Sequence, residues 1–405
     1  MIFRRRLTVR PMIAAVALGT TALAGVAGGA IAADDGRGSI AERFIAPGPA
    51  AVASTGVHAS LSDMVDAVGP SVVQIQVKPE ASGGRQFEPT QFGSDDSELA
   101  DRLGQLFGFG MQDRRGQFGA PEPQQGPQRG SLGSGFIVDA SGIVITNNHV
   151  VKNANRVTVQ MSDGREFAGR VLGRDPKIDV AVVRIEGRGK FTPIKWGDSD
   201  HIRVGDSVFA VGSPFGLGNT VTSGIVSARG REIGAGPYDD FLQVDAAINS
   251  GNSGGPLFDG AGRVVGVNTA IFSPTGGNVG IGFAIPAAMA RKVALQIAQT
   301  GHVSRGRIGV SLQDLTPELA NAVGSNVTKG ALIADVEEGG AAARSGMQRG
   351  DVVRRFGSKP VDNGRDLARA VAEARIGSIV PTQVLRDGRR LSLNLLIASE
   401  AVEQS

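Results

Sequence analysis

The stretch "INSGNSGGPLF", residues 248–258, places Ser253 among three glycines and just before Pro256. Three interpretations compete for this stretch. Ser253 is a nucleophile, or it belongs to an ordinary glycine-rich turn, or residues 251–255 form the G-x-S-x-G elbow of an α/β-hydrolase. A serine hydroxyl is a poor nucleophile unless a base and an orienting acid accompany it. The rest of the chain therefore has to decide.

A candidate base and a candidate acid both precede Ser253. His149 ends a strand-like run in "GIVITNNHVVKNA", and Asp179 opens the apolar strand of "DVAVVRI". A carboxylate at the start of a buried strand needs a partner, which a histidine N–H supplies. The alternatives are a histidine that caps the end of its strand and an aspartate in a turn, which is how Asp175 beside Pro176 is interpreted.

The order of these residues weighs against the hydrolase elbow. That fold runs serine, acid, histidine, with a helix after the serine. Here only His302 follows Ser253, and "GGPLFDGAGRVVGV" predicts a turn, a strand and a hairpin. In the nucleophile interpretation, the backbone N–H groups of Gly251 and Ser253 supply an oxyanion hole, and the other glycines leave room for the substrate.

Residues 132–285 show short apolar runs separated by turn signals every 8–12 residues, which predicts a sandwich or a barrel. A helix is predicted from Pro286 to Gly301. The remaining residues predict a smaller β-rich domain, in which Pro381 indicates an edge strand. Its predicted strands are 308–312, 330–336, 351–357, 379–386 and 391–397, with one helix at 364–375.

The N-terminus predicts export. A basic head, "MIFRRRLTVR", precedes an apolar run at 12–32 that ends in Ala30-Ile31-Ala32, which is typical of a signal peptide cleaved near Ala32. Four of the 42 basic residues and no acidic residue lie in 1–32, so cleavage changes the net charge from +3 to −1 and removes the electrostatic case for nucleic-acid binding. An uncleaved membrane anchor is the alternative. The absence of cysteine excludes disulfides and thiolate zinc sites.

These patterns divide the chain into a signal peptide (1–32), a linker (33–59), a catalytic domain (60–300) and a C-terminal domain (301–400). A Gln/Gly/Pro-rich segment at 80–131 is too long for a passive connection and is interpreted as a regulatory loop or as disordered. Within it, "ELADRLGQLF" (98–107) has one apolar helical face, which serves either docking or packing on its own domain.

Five stretches carry a resemblance to a known family. They are "LGSGFIVDASGIVITNNHVV", "DPKIDVAVVRI", "VGSPFGLGNTVTSGIVSA", "DAAINSGNSGGPLF" and "GNVGIGFAIP", and they cover most of 132–286 in order. The sequence resembles chymotrypsin-fold serine proteases and, more narrowly, the HtrA/Do family of DegP-like envelope proteases. The resemblance implies that His149 is the general base, Asp179 the orienting acid and Ser253 the nucleophile. It places the oxyanion hole at the backbone N–H groups of Gly251 and Ser253.

The C-terminal domain resembles the PDZ domains of the same family through "SRGRIGVSL" (304–312) and "GALIADVEEGGAAARSGMQRGDVV". The fold class implied is mainly β, a chymotrypsin-like double β-barrel followed by a smaller PDZ domain. In such a domain a peptide C-terminus adds to strand 308–312. The carboxylate-binding loop would be Arg305, Gly306, Arg307, Ile308 and Gly309. The alternative is a PDZ domain used only for packing or assembly.

Substrate preference rests on the residue six positions before the nucleophile, which forms the base of the first substrate pocket in this fold. That residue is Ala247, so the resemblance implies a preference for small aliphatic side chains rather than Lys or Arg, although Asp245 lies close in sequence. The pocket candidates are Ala247, Ile248, Asn268, Thr269 and Ala270.

The resulting expectation is a periplasmic serine endopeptidase that hydrolyses misfolded envelope proteins through an acyl-enzyme. It needs no metal or organic cofactor, binds peptide C-termini at its PDZ domain, binds no nucleic acid and, by the resemblance, associates into trimer-based homo-oligomers. Two alternatives stay open. One is a membrane-anchored signalling protease that cuts a single partner, and the other is a chaperone or scaffold with a latent protease.

Overall fold

The computed structural model describes residues 60–77, 132–213, 219–249, 251–272, 278–322 and 327–399. The predicted signal peptide, the linker and the long loop with its amphipathic segment lie outside these residues. Within the described part of the chain, every helix is too short or too polar to cross a bilayer.

The first barrel follows a short helix, α1 (Leu61–Val68), which begins at a capping box between Ser60 and Asp63. Its six strands are antiparallel in the order β1-β2-β3-β6-β5-β4, and pairing of β1 with β4 closes the barrel. A four-residue helix, α2 (Asn148–Val151), connects β3 to β4. The strands are β1 (Val72–Gln76), β2 (Leu132–Asp139), β3 (Ile143–Thr146), β4 (Arg156–Met161), β5 (Glu166–Asp175) and β6 (Val180–Glu186).

The second barrel has six antiparallel strands in the order β8-β9-β10-β13-β12-β11, closed by pairing of β11 with β8, and β7 adds in parallel to β12. The two barrels confirm the double-barrel prediction. The strands are β7 (Lys195–Trp196), β8 (Ser207–Gly212), β9 (Thr220–Arg231), β10 (Phe241–Val244), β11 (Pro256–Asp259), β12 (Arg263–Ile271) and β13 (Gly282–Pro286).

Helix α3 (Ala287–Thr300) packs against both barrels. Val293 and Ile297 share one buried apolar cluster with Ile143 of the first barrel and Phe283 of the second. The helix ends at Gly301, whose φ of 81° and N–H bond to Ile297 O at 2.8 Å form a left-handed cap. The prediction of this helix from its proline and glycine is confirmed.

The C-terminal domain is a five-stranded sheet in the order β15-β16-β17-β19-β20, with β18 on β17 and a separate β14–β21 pair. Among the described residues, β15 pairs only with β16, so one edge of β15 is next to no described strand. The elements are β14 (Gly306–Arg307), β15 (Val310–Asp314), α4 (Pro317–Ala322), β16 (Ala331–Val336), α5 (Ala341–Arg344), β17 (Val352–Phe356), β18 (Lys359–Pro360), α6 (Gly364–Glu373), β19 (Ile379–Arg386), β20 (Arg389–Leu396) and β21 (Ala398–Ser399).

Two predictions in this domain were wrong in detail. The edge strand begins at Val310 rather than residue 308, because Gly309 has a φ of 76° and interrupts the extended backbone. Pro381 lies in an interior strand, between β17 and β20. The proline is accommodated because the pairing of β19 with β17 ends at Thr382, one residue before Pro381 is reached. The N–H that proline lacks is therefore not needed for the hydrogen bonds between β17 and β19.

Candidate active site

His149 and Asp179 form the first part of the site. His149 lies in α2, directly after β3, and Asp179 immediately precedes β6, which pairs with β3. The Nδ1 of His149 lies 2.6 Å from Oδ2 of Asp179, and the backbone N–H of His149 donates to Oδ1 at 2.9 Å. Both oxygens of the carboxylate are therefore held by one residue, which fixes the plane of the imidazole ring.

Asp179 has a left-handed backbone, with a φ of 57°. A non-glycine residue in this region costs about 1–2 kcal/mol, although aspartate tolerates it better than most residues do. In this conformation Asp179 makes two contacts with α2. Its carboxylate binds His149, and its backbone carbonyl accepts the N–H of Asn148 at 3.2 Å. At the other end of the helix, Arg174 donates to the carbonyls of Lys152 and Ala154, and burial lowers the pKa of its guanidinium.

Ser253 belongs to the second barrel, but the first barrel holds its backbone. The N–H of Ser134, in β2, donates to Ser253 O at 2.8 Å. The Ser134 hydroxyl donates to Gly251 O at 2.6 Å and accepts the N–H of Ser213 at 2.9 Å. Sequence reasoning missed Ser134, for which the available signal was a small polar residue between the two glycines of "LGSGF".

The glycine after Ser253 permits a very close approach of the two barrels. Gly254 has a φ of 82°, and a β-carbon on it would lie 2.3 Å from Ser134 O and 3.0 Å from the backbone N of Asn147. On the other side of the loop, a β-carbon on Gly133 would lie 2.6 Å from Val150 and 3.2 Å from Ser253 O. Gly254 thus lies against Asn147 on one side of His149, and Gly133, which contacts Ser253 O, lies against Val150 on the other.

We expect Gly254→Ala to inactivate the protein through left-handed backbone strain and a steric clash. Gly164→Ala is the control that has the strain without the clash. Gly164 has a nearly equal φ of 85° but nothing within 4 Å of its β-carbon position. Its substitution should cost only the left-handed strain, about 1–2 kcal/mol, and leave turnover intact. Gly254→Ala adds a backbone clash that displaces Ser253, and a displacement of about 1 Å costs on the order of 100-fold in rate. Denaturation curves and kcat of both variants test this, and equal kcat values would contradict it.

The two predicted oxyanion donors lie in the same loop. Among the described residues, neither the N–H of Gly251 nor that of Ser253 donates a hydrogen bond. The neighbouring peptides are fixed, because Asn252 N donates to Asn249 O at 2.8 Å and Gly255 N donates to Asn252 O at 2.9 Å. Within the described part of the loop, these two amides therefore have no acceptor, and an anion-binding site requires such donors.

The predicted pocket residues have mixed positions. Ala247 is partly exposed, and the nearby acid, Asp245, points to the backbone of β9, where it accepts the N–H of Ile225 at 2.6 Å. Ile248 and Asn268 are buried. The side chain of Ile248 belongs to the core of the second barrel, and that of Asn268 is buried and donates to Pro256 O.

The other two pocket candidates, Thr269 and Ala270, are also buried. Together with Asp179 they border a cavity of about 20 Å³, which is too small for an amino-acid side chain. Of the five candidates, only Ala247 is therefore accessible to a substrate side chain in this structure.

The predicted carboxylate loop divides at Gly306. Gly306 and Arg307 pair with β21, whereas the amides of Ile308 and Gly309 donate to no described residue. The side chain of Ile308 is buried in the core of the domain, and that of Arg307 lies 2.9 Å from Glu337. The open amides thus lie at the start of the unpaired edge of β15.

Arg305 does not belong to this loop. Its guanidinium is buried in an ion pair with Asp175, at the end of β5, and lies over the ring of Tyr238 at 4.9 Å from the centroid. Asp175 is the last residue of β5 rather than a turn residue, although its carboxylate accepts the N–H of Lys177 in the following turn at 3.0 Å, and it also holds Arg305. Sequence reasoning missed this pair because the two residues are 130 positions apart.

Helix α6 of the C-terminal domain contacts the first domain through further charges. Arg369 donates to Asp239 O at 2.9 Å and lies 3.3 Å from Asp240. Burial raises the pKa of the Asp240 carboxyl, and the positive charge of Arg369 offsets part of that rise. Lys292 of α3 lies 3.4 Å from Glu373. The C-terminal domain is therefore docked on the second barrel and on α3 by polar contacts.

Comparison with known proteins gives two family matches. Residues 133–267 match the trypsin-like peptidase domain, and residues 306–397 match the PDZ domain. The chain is 43% identical over 363 residues to the probable periplasmic serine endoprotease DegP-like of Rhizobium meliloti (strain 1021), covering 84% of this chain and 70% of that protein. It is 42% identical over 350 residues to the periplasmic serine endoprotease DegP of Escherichia coli (strain K12), covering 85% and 73%.

Solved structures agree with these matches. The HtrA-type protease AlgW with a tripeptide has a TM-score of 0.67 and 36% identity, over 84% of this chain and 98% of that one. The fold and the sequence likeness define the class as a chymotrypsin-like serine endopeptidase with a PDZ domain. Within that class, the chain belongs to the HtrA family of DegP-like serine endoproteases.

Proposed function

We propose that Ser253 is the nucleophile of this endopeptidase, His149 its general base and Asp179 the acid that orients the base. The observation that carries the proposal is the pair between His149 Nδ1 and Asp179 Oδ2 at 2.6 Å. An ionised carboxylate only accepts hydrogen bonds, so the proton of the neutral ring is assigned to Nδ1, which donates to Oδ2, and the basic lone pair is on Nε2. That nitrogen is the one a serine hydroxyl in this fold gives its proton to.

The reaction then proceeds in two halves. Ser253 Oγ attacks the scissile carbonyl carbon as its proton moves to His149 Nε2, and the tetrahedral oxyanion is held by the N–H groups of Gly251 and Ser253. His149 returns the proton to the leaving amine as the C–N bond breaks, which gives an ester on Ser253. Water, deprotonated by His149, attacks this ester, and the proton on His149 returns to Ser253 Oγ as the acid is released.

The substrates we propose are misfolded proteins exported to the periplasm, cut at exposed segments with small aliphatic side chains. The names of the relatives support the compartment, and the basic, then apolar N-terminal sequence supports export by a signal peptide. Ala247, together with the Asp245 carboxylate that accepts the N–H of Ile225 in β9, supports a pocket without an acid. A trimer-based homo-oligomer remains part of the proposal through the family resemblance alone.

We further propose that the PDZ domain binds peptide C-termini along β15. Its free strand edge offers backbone hydrogen bonds, and the amides of Ile308 and Gly309 offer donors for the carboxylate. This ligand is either a substrate or an activator.

Labelling with a fluorophosphonate probe tests the nucleophile. Wild-type protein should be labelled and should degrade casein, whereas Ser253→Ala should show no labelling and a loss of turnover of at least about 1,000-fold, because the covalent route is gone. Ser207→Ala, an exposed serine in β8, serves as the matched control and should behave as wild type. Labelling of Ser253→Ala at the wild-type rate would refute the assignment.

The same assay tests the PDZ domain. An apolar peptide with a free C-terminus should change the labelling rate, and the same peptide with an amidated C-terminus should not, because the carboxylate is the group that the loop amides bind. Equal responses to both peptides would remove the carboxylate site from the proposal.

A further inference from the structure

The side chain of Asn147 does not cap α2, although the residue occupies the N-cap position of that helix. It is the N-cap residue of α2, a position where asparagine commonly accepts an N–H bond from the first turn, yet its side chain makes no such bond. Instead, its Nδ2 donates to Asp179 O at 2.8 Å and to Thr269 Oγ1 at 3.1 Å. The residue is fully buried.

The orientation of this amide is fixed by its partners. The carbonyl of Asp179 only accepts, so the nitrogen of the amide and not its oxygen must face it. The Oδ1 of Asn147 is buried and has no partner among the described residues. A buried acceptor without a donor is unfavourable. The stabilising contribution of the side chain is therefore its two N–H bonds.

Asn147 lies where the proposed catalytic segments meet. It is two residues before His149, it binds the carbonyl of Asp179, and its backbone N faces Gly254, next to Ser253. Its second acceptor, Thr269, is in β12 of the other barrel. One side chain thus joins the base and acid of the first barrel to a strand of the second.

We propose that Asn147 is a positioning residue that holds Asp179 against His149 and keeps the two barrels in register at the site. The inference rests on the proposed triad. Without Nδ2, the carbonyl of Asp179 keeps only the longer bond from Asn148 at 3.2 Å. The left-handed backbone of Asp179 is then less constrained, so its carboxylate spends less time paired with His149. The effect falls on the chemical step and not on substrate affinity.

The test compares Asn147→Ala with Asn363→Ala. Asn363 is the N-cap residue of α6, and its side chain does cap, accepting the N–H of Asp366 at 2.8 Å. Asn147→Ala should lower kcat for a small peptide substrate and the fluorophosphonate labelling rate by about 10- to 100-fold, with KM within about twofold, because misplacement of reacting groups acts on the rate. Asn363→Ala should lower the unfolding midpoint and leave kcat within about twofold.

Thr269→Val provides a second variant of similar shape that removes one of the two bonds of Asn147, together with the bond from the Thr269 hydroxyl to Val267 O at 3.0 Å within β12. It should lower kcat by about 3- to 10-fold, and the double variant Asn147→Ala/Thr269→Val should be no slower than Asn147→Ala alone, because both changes break the same link. Losses that multiply, or a kcat of Asn147→Ala equal to that of Asn363→Ala, would overturn the inference.

The two proposals fail in different ways. If wild-type Ser253 is labelled and Asn147→Ala is labelled equally fast, only the positioning role falls. If wild-type Ser253 is not labelled at all, the triad falls and the positioning role falls with it.

Discussion

Asp179→Asn is expected to lower kcat by about 10,000-fold while the protein stays folded. Asparagine has the shape of aspartate and keeps an oxygen for the backbone N–H of His149. Its amide nitrogen, however, would face His149 Nδ1, where Oδ2 now lies at 2.6 Å. Because that nitrogen donates, the ring would carry its proton on Nε2 and lose the lone pair that accepts the proton of Ser253. Peptide kinetics together with circular dichroism measure the two parts of this expectation.

Asp198→Asn is the matched control for this substitution. Asp198 binds His201 in the same way, with Nδ1 to Oδ2 at 2.7 Å and a backbone N–H to Oδ1 at 3.3 Å, but the pair is exposed and distant in sequence from the proposed triad. Its kcat should stay within about twofold of wild type, since exposed pairs contribute little. A similar loss in both variants, or retention of a tenth of the activity by Asp179→Asn, would contradict the assigned role of Asp179.

Arg305→Ala is expected to destabilise the protein by about 3–5 kcal/mol, because it leaves the buried Asp175 carboxylate without its partner. Asp175 is 2% exposed and lies in the first barrel, so water cannot replace the guanidinium without opening the contact between the domains. The substitution also removes the stacking of the guanidinium on Tyr238. Chemical denaturation followed by the fluorescence of Trp196 measures the loss.

Two comparisons interpret that result. Arg165→Ala breaks an exposed ion pair with Asp163 and a contact with the Phe167 ring, and it should shift the denaturation midpoint far less than Arg305→Ala does, because solvent screens exposed pairs. The double variant Arg305→Ala/Asp175→Ala removes both buried charges and should be more stable than Arg305→Ala alone, because no unpaired charge remains. If Arg305→Ala costs no more than Arg165→Ala, the buried pair does not hold the domains together.

Much of the architecture followed from local signals in the sequence. The order of His149, Asp179 and Ser253, with strands and not a helix after the serine, weighed against the hydrolase fold. The spacing of short apolar runs predicted a sandwich or a barrel, and the family resemblance implied two barrels. Pro286 and Gly301 predicted the bounds of α3, because each acts on the backbone next to it. Such signals can be recognised in a single sequence, because each residue determines the backbone conformation only a few positions away.

The contacts that assemble the site were not readable in this way. Ser134 reaches Gly251, and Arg305 reaches Asp175, only after the chain has closed its barrels and docked its domains. The same holds for Ile248, a pocket candidate by its spacing from Ser253, which the closed second barrel uses as core. Contacts between residues more than 100 positions apart depend on strand order and register, which local patterns do not specify.

The hydrogen bonds between β2 and the loop of Ser253 make activity depend on the integrity of the whole catalytic domain. Two hydrogen bonds from Ser134 and the clearance at Gly254 exist only while the barrels are in contact. One buried apolar cluster also spans both barrels, since it contains Phe136 and Ile143 of the first and Phe258 and Phe283 of the second, so loosening that contact would expose core residues of both. Turnover therefore reports the contact between the two barrels as well as the folding of each one.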